Sequence, residues 1–413
     1  MSTQFRIERL GAQGDGVAVT ETGPVYIRYA LPGEVVTAAR QKDRAELMAV
    51  LDASPQRVGP PCRHFGICGG CAIQHLESGA YNDWKRDKVA AALAGRGVET
   101  PVGEIVPCAP HTRRRVVMAA RRTEGGMLLG YYEAMSHRIV AIEECLISRP
   151  EIVGRLDDLR ALAALVAASS EPFRLTVTAT ASGLDVAVDG SGKLSDSARL
   201  KAADFTGRAG LARLSVGGEV IVEPKKPVVM FGTVAVELPP GAFLQATAEA
   251  ETAMAGLVTE HLWRSKRVAD LFAGSGTFAL RLAAAADVHA VESDAASLAA
   301  LDRAGRFASG LRRVTTEKRD LFRRPLTMKE LDRFDGLVFD PPRAGAEDQA
   351  KQIARSAIPW VAAVSCNPVT LARDLAILVA GGYRVASVTP IDQFLWSPHV
   401  EAVALLEKPK RRR

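Results

Sequence analysis

Among the six cysteines of this 413-residue chain, Cys366 has the setting best suited to covalent chemistry. It lies in Val364-Ser365-Cys366-Asn367-Pro368, where an apolar strand gives way to a polar loop. Free cysteines are commonly buried as small hydrophobes, but Ser, Asn and Pro around this one predict an active-site loop. A thiolate there could add to C6 of a pyrimidine ring, turning C5 into a carbon nucleophile and splitting one hard step into two. A base must later remove the C5 proton. Glu401, in Ser397-Pro398-His399-Val400-Glu401 at the start of the last strand, is the candidate general base. His399, two residues earlier and expected on the same strand face, is a second candidate or a supporting residue.

A methyl donor fits the sequence upstream. Val268-Ala269-Asp270-Leu271-Phe272-Ala273-Gly274-Ser275-Gly276-Thr277 reads as an apolar strand running into a Gly-x-Gly turn and a helix. Gly274 and Gly276 let backbone approach a nucleoside closely. Glu292 ends the next strand, where a carboxylate can accept both ribose hydroxyls. Nicotinamide dinucleotides use similar turns, but residue 279 is Ala where their third glycine would stand. Asp270, just before the turn, would meet a cationic amino-acid moiety, and Asp320, after the third strand, an adenine amino group. This pattern favours S-adenosylmethionine; the plainer alternative is that these acids cap helices. Phe339-Asp340-Pro341-Pro342-Arg343 closes the fourth strand with a rigid loop. Amino-group methyltransferases carry an aromatic at the last of these positions, so Arg343 argues against methylation of adenine or cytosine amino groups.

The elements that must hold these residues are legible as pattern. From about residue 250, strands alternate with helices, which predicts an α/β, mainly parallel sheet with ligands at the carboxyl ends of its strands. Residues 1–53 alternate with Gly punctuation like a small β-barrel. A helix is expected from Ser78 to Ala94 with Ser78 as its cap, another at about 149–169, and strands in a mixed α+β region between. The expected divisions are 1–55, 56–240 and 241–413. Composition, 47% hydrophobic and 24% charged, is that of a folded protein. The N-terminus has no signal-peptide core, and no apolar run approaches the roughly 18 residues needed to span a bilayer; a cytoplasmic protein without membrane contact is expected. Net charge is +6, and arginines cluster at 113–115, 121–122, 312–313, 323–324 and in the terminal Lys-Pro-Lys-Arg-Arg-Arg, a footprint for a polyanion or simply a solvated surface.

Cys62, Cys68 and Cys71 fall within one short loop. Such crowding points to metal, and spacing leaves zinc and iron–sulfur both open.

Taken together, the residues resemble the RNA 5-methyluridine methyltransferases over nearly the whole chain. Gly14-Asp15-Gly16-Val17-Ala18 and Leu31-Pro32-Gly33-Glu34 look like a TRAM domain, a module that contacts RNA in the family. Cys62-x5-Cys68-Gly69-Gly70-Cys71 with Gln74-His75 is similar to the iron–sulfur motif of the 23S rRNA branch, and Cys145 matches the fourth ligand of its [4Fe–4S] site; Cys108 does not. The resemblance implies a Rossmann-like class I domain binding S-adenosylmethionine, with Phe243 stacking near the target uracil, Gln245 at the cofactor and base site, and Asp340 reading the uracil edge. It leaves Cys366 as nucleophile and Glu401 as base. Departures are Thr247 where Asn is frequent, Asp392-Gln393-Phe394-Leu395 in place of Asp-Met-Phe-Pro, and Ala273 in place of Cys. The expected substrate is a 23S rRNA uridine and the expected state a monomer. Alternatives are a tRNA uridine of the TΨC loop and a non-catalytic iron–sulfur RNA-binding protein.

Overall fold

A computed structural model describes residues 2–409; Lys410 and Arg411–Arg413, most of the terminal basic run, lie outside the described residues. Three large sheets succeed one another among the described residues, with a two-stranded hairpin, Val228–Phe231 with Val234–Glu237, between the second and third. The first has six strands in the order Ser2–Arg6, Val35–Gln41, Arg44–Asp52, Gly23–Ile27, Gly16–Thr20 and Arg9–Leu10. Because Ser2–Arg6 and Arg9–Leu10 are two ends of one bent segment, pairing at both outer strands closes the sheet into a barrel. Its interior holds Phe5, Ile7, Val25, Ile27 and Val36. Buried Glu34 accepts from the Leu31 and Ser54 amides and pairs with Arg57 at 2.6 and 2.8 Å, tying the barrel to the cysteine segment.

A seven-stranded middle sheet follows, ordered Glu219–Val222, Arg213–Val216, Gly183–Asp189, Phe173–Thr180, Arg115–Thr123, Gly126–Tyr132 and Ile139–Ala141. Its strands are antiparallel neighbours except 183–189 with 213–216. The helix expected at 149–169 is two pieces, Pro150–Val153 and Leu156–Val166, because Gly154 ends the first turn. Helix Asp196–Arg208 was not expected from the sequence: it has little apolar periodicity and buries only Ala202 and Thr206.

The third sheet runs Val314–Lys318, Asp287–Glu292, Arg267–Leu271, Gly336–Phe339, Trp360–Ser365, Glu401–Glu407, Arg384–Ile391. The first five strands are parallel and the last two antiparallel to their neighbours. Strand order reverses beside Arg267–Leu271, where a doubly wound sheet opens a crevice. Since Glu401–Glu407 runs against Trp360–Ser365, with Ser365 opposite Ala402, its first residue lies at the carboxyl ends of the parallel strands. This α/β fold, with the barrel before it and a mixed α+β region between, is the one expected.

Helix Ser78–Ala94 forms as predicted, but its cap is Glu77, whose carboxylate accepts from the Gly79 and Ala80 amides. Val89 and Leu93 of this helix share a core with Leu271, Phe339 and Ala363 of the third sheet, so the helix is packed against the sheet that carries the site. Among the described residues, no helix is long and apolar enough to cross a membrane.

Candidate active site

A cavity of about 660 Å³ opens where the third sheet's order reverses, and Cys366, Glu401, Asp340, Gln245, Phe243, Phe272, Gly274, Glu292 and Asp320 all line it. Asp270 and Gly276 do not. Gly276 (φ +105) packs against two helices, and a Cβ there would meet Leu280 and Leu301 at 3.0 Å. The turn and its packing both call for glycine there.

Cys366 stands between strand Trp360–Ser365 and helix Pro368–Ala380. Asn367 caps that helix, accepting from the Val369 amide at 3.1 Å, and donates from its own amide to the Arg343 carbonyl at 3.1 Å. The Asp340–Arg343 loop and the cysteine loop are thus pinned together. Burial pushes the Cys366 thiol up to about 11; the Glu401 and Asp340 carboxylates raise it further and Arg343 opposes them.

Four side chains form one hydrogen-bonded row across the cavity floor. Gln245 Nε2 donates to Asp340 Oδ2 at 2.9 Å, and Gln393 Nε2 donates to Gln245 Oε1 at 2.8 Å and to Glu401 Oε2 at 2.6 Å. Burial raises both carboxyls above their ordinary range, and Asp340 raises Glu401 further. Two carboxylates that repel one another across one cavity hold one negative charge more readily than two. Phe243 stands apart, 68% exposed at the cavity wall, a free aromatic face.

At the far end, Phe272 leaves its strand with φ +62, a conformation costly for a non-glycine residue, and its ring meets that of Phe322 at 5.5 Å. Glu292 receives the Gly274 amide at 3.0 Å on one oxygen and the Ser293 and Asp294 amides on the other. Asp320 accepts from Phe322 and Arg323 amides while lining the cavity. Asp270 is fully buried behind the turn. Burial lifts its carboxyl well above the usual range; the Ala279 amide lies near enough to oppose this, but no donor reaches hydrogen-bonding geometry with either oxygen.

A second cavity, about 310 Å³, is lined by Cys62, Cys68, Cys71 and Cys145, with Arg113, Tyr131, Phe394, Ser397 and His399 around it. Cys68 Sγ accepts from the Gly70 amide at 3.4 Å and Cys145 Sγ from the Ser148 hydroxyl at 3.1 Å. Among the described residues, no three His, Cys, Asp or Glu side chains converge closely enough to hold one metal ion. Cys108 lies elsewhere, beside Thr112 at 3.2 Å.

Two sequence expectations change. His399 precedes the strand rather than sharing a face with Glu401, lines the cysteine cavity instead, and burial lowers it to about 4. Arg114 and Arg115 do not form an outward basic patch. Arg114 is buried against Glu251 and donates to the Gln245 carbonyl; Arg115 donates to the Gly241 and Ala242 carbonyls. They hold the segment that bears Phe243 and Gln245. The clusters at 121–122, 312–313 and 323–324 are exposed. Gln393 was noted in sequence only as a departure, and Phe394, which lines both cavities, gave no signal beyond being aromatic.

Residues 193–409 match the family described as tRNA (Uracil-5-)-methyltransferase. A protein of Mesorhizobium japonicum named as an uncharacterized RNA methyltransferase is 67% identical over 413 residues, covering 100% of both chains. The 23S rRNA (uracil(1939)-C(5))-methyltransferase of Halomonas elongata is 34% identical, covering 98% of this chain and 89% of its own. Among solved structures, Pyrococcus abyssi tRNA (uracil-54, C5)-methyltransferase in complex with S-adenosyl-L-homocysteine aligns with a TM-score of 0.77 at 22% identity, over 98% of this chain and 99% of that one. That likeness bears on the fold.

Proposed function

The chain belongs to the tRNA (uracil-5-)-methyltransferase family of RNA-methylating enzymes, and on that footing we propose that it methylates C5 of a uridine in 23S rRNA, with Cys366 as covalent nucleophile and Glu401 as general base. The observation that carries this reading is the convergence of one thiol and two carboxylates, buried Glu401 and half-buried Asp340, on one cavity that the exposed Phe243 also lines. The 23S assignment is supported by the cysteine set and by the Halomonas relative's specificity.

The cavity's other end fits S-adenosylmethionine. A Cβ on Gly274 would meet nothing within 4 Å, leaving room for a nucleoside, and Asp270 is a buried carboxylate without a partner. Phe272, Gly274, Glu292 and Asp320 would hold the molecule, with Asp270 behind the turn and Gln245 and Asp340 bordering the reacting end. When bound, it supplies a sulfonium methyl group.

The chain's own residues do the rest. Phe243 stacks on a uracil taken out of its helix, and Asp340 meets its polar edge. The Cys366 thiolate adds to C6, and the displaced electron pair moves to C5 and the O4 enolate, making C5 nucleophilic. Once C5 carries the methyl group, Glu401 accepts the C5 proton; the electron pair re-forms the C5–C6 double bond and expels the thiolate.

Cys62, Cys68, Cys71 and Cys145 fit a [4Fe–4S] cluster. They are four thiols around one cavity, with N–H and O–H donors directed at sulfur. The cluster would brace the loop that ends in Glu401. The barrel, read as a TRAM module over 1–55, the central region 56–240 and the methyltransferase domain 241–413 would together grip RNA, as a monomer.

The test is methyl transfer from labelled S-adenosylmethionine to unmodified 23S rRNA and to unmodified tRNA, with the product mapped. Label at C5 of a 23S uridine supports the reading. Label only in the TΨC loop of tRNA would move the substrate to tRNA, and label in neither would overturn the enzyme assignment.

A further inference from the structure

Gln393 belongs to neither the nucleophile, the base nor the uracil-reading residue, yet it touches the groups between them. It is 2% exposed, and all its hydrogen-bonding capacity on the floor of the site is directed. Its Oε1 accepts from the Ala246 amide at 2.8 Å. A backbone N–H can only donate, so this bond fixes which end of the side-chain amide is oxygen. Its Nε2 must then face the other way, towards Gln245 Oε1 and Glu401 Oε2. With Gln245 Oε1 occupied as an acceptor, the Gln245 amide has its nitrogen towards Asp340. One backbone N–H therefore sets the polarity of the whole row.

We propose that Gln393 is the positioning residue for proton removal: it holds Glu401 by Oε2, leaving Oε1 as the atom that takes the C5 proton, and it orients Gln245 as a donor to Asp340. This rests on Glu401 acting as the base. Among the described residues, Glu401 Oε1 accepts no hydrogen bond, and Glu401 lines the cavity beside Cys366. A donor on one carboxylate oxygen favours the anion, so Gln393 keeps a buried carboxylate in the form that can accept a proton, and the Oε2 bond survives when Oε1 is protonated. Without Gln393, Gln245 is free to turn its oxygen towards Asp340, placing two acceptors face to face.

The experiment uses Gln393→Met, which keeps length and burial while deleting both donor and acceptor, in the full chain with unmodified 23S rRNA. The acid limb of the kcat–pH profile should move to higher pH and kcat at neutral pH should fall about 10–100-fold, part of the roughly 10²–10⁴-fold that a general base contributes. Combined with Glu401→Gln, the Met substitution should leave the rate of adduct formation nearly unchanged, because the group it positions is already gone. Gln393→Glu, which restores size but replaces the donor to Glu401 with an acceptor, should not rescue. An unmoved acid limb, or full additivity of the two substitutions, would overturn the role of Gln393. If Glu401→Gln itself accumulates no covalent adduct, the base assignment fails instead, so the two failures are distinguishable. Circular dichroism and thermal melting of Gln393→Met establish that it is folded; a variant that melts like the parent and still has the parent pH profile counts against the proposal.

Discussion

Lys85 Nζ lies 2.6 Å from Asp392 Oδ1 in an ion pair sealed from solvent, with side-chain exposures of 0% and 1%. It joins helix Ser78–Ala94, just after the cysteine loop, to the segment that leads into Gln393 and Glu401. Tyr81 adds a hydroxyl bond to Asp392 Oδ2 at 2.6 Å, and Lys85 also donates to the Phe394 carbonyl at 3.0 Å. The same segment receives the Ala72 and Ile73 amides on the Trp396 carbonyl. One short stretch of chain is therefore held by the helix on one side and the cysteine loop on the other.

Removing one partner of such a pair strands a buried charge. Asp392→Asn or Lys85→Met should destabilise the protein by about 3–5 kcal/mol, read by denaturant unfolding. The double substitution Lys85→Met with Asp392→Leu should be less damaging than the sum of its parts. Strict additivity would mean that the pair is not coupled.

The pH dependence of catalysis follows from two raised groups. In the proposed mechanism Cys366 reacts as a thiolate, but burial pushes its thiol up to about 11; Glu401 acts there as an anion, but burial and Asp340 hold its carboxyl above the ordinary range. Both requirements are met better as pH rises, so kcat under single-turnover conditions should climb from pH 6 towards pH 9. An optimum on the acid side of neutrality would contradict the assigned protonation states.

Stability should run the opposite way. A carboxyl raised in the folded state gives up its proton more easily when unfolded, so native stability falls as pH rises from the ordinary carboxyl range to the folded value. Glu401→Gln has no proton to lose. It should match the parent at low pH and become more stable than it as pH rises, by about 1.4 kcal/mol for each pKa unit of elevation. Thermal melts of both proteins between pH 5 and 8 check this, and a difference that shrinks with pH would refute it.

The four cysteines around the second cavity predict colour. Anaerobically prepared protein should contain iron and sulfide and absorb broadly in the visible, and Cys71→Ser should abolish this while Cys108→Ser leaves it intact. Colourless protein carrying zinc would overturn the cluster.

Much of the site was legible because its residues follow strands. Cys366, Asp340, Glu292 and Phe272 each come directly after or at the end of an apolar run whose carboxyl end must face the crevice, and Glu401 opens the one that runs back. What pattern could not supply was depth and partnership. Asp270 precedes the same turn as Gly274, yet the sheet hides it behind the cavity wall. Arg114 and Arg115 look like an RNA-facing cluster because charge alone does not say which way a side chain points; here they bind carbonyls of the 241–245 segment. His399 and Glu401 were placed on one face by assuming a strand that begins two residues later. Gln393 is a neutral side chain whose meaning depends wholly on contacts with residues more than a hundred positions away in Gln245 and Ala246.

The central claim is that Cys366 bonds to the uracil ring and Glu401 releases it. Glu401→Gln protein incubated with S-adenosylmethionine and labelled 23S rRNA should give a protein–RNA adduct that survives denaturing electrophoresis, with the nucleotide mapped to Cys366. Cys366→Ala, alone or added to Glu401→Gln, should give neither adduct nor methylated product. Methylation by Cys366→Ala, or an adduct on another residue, would contradict the account.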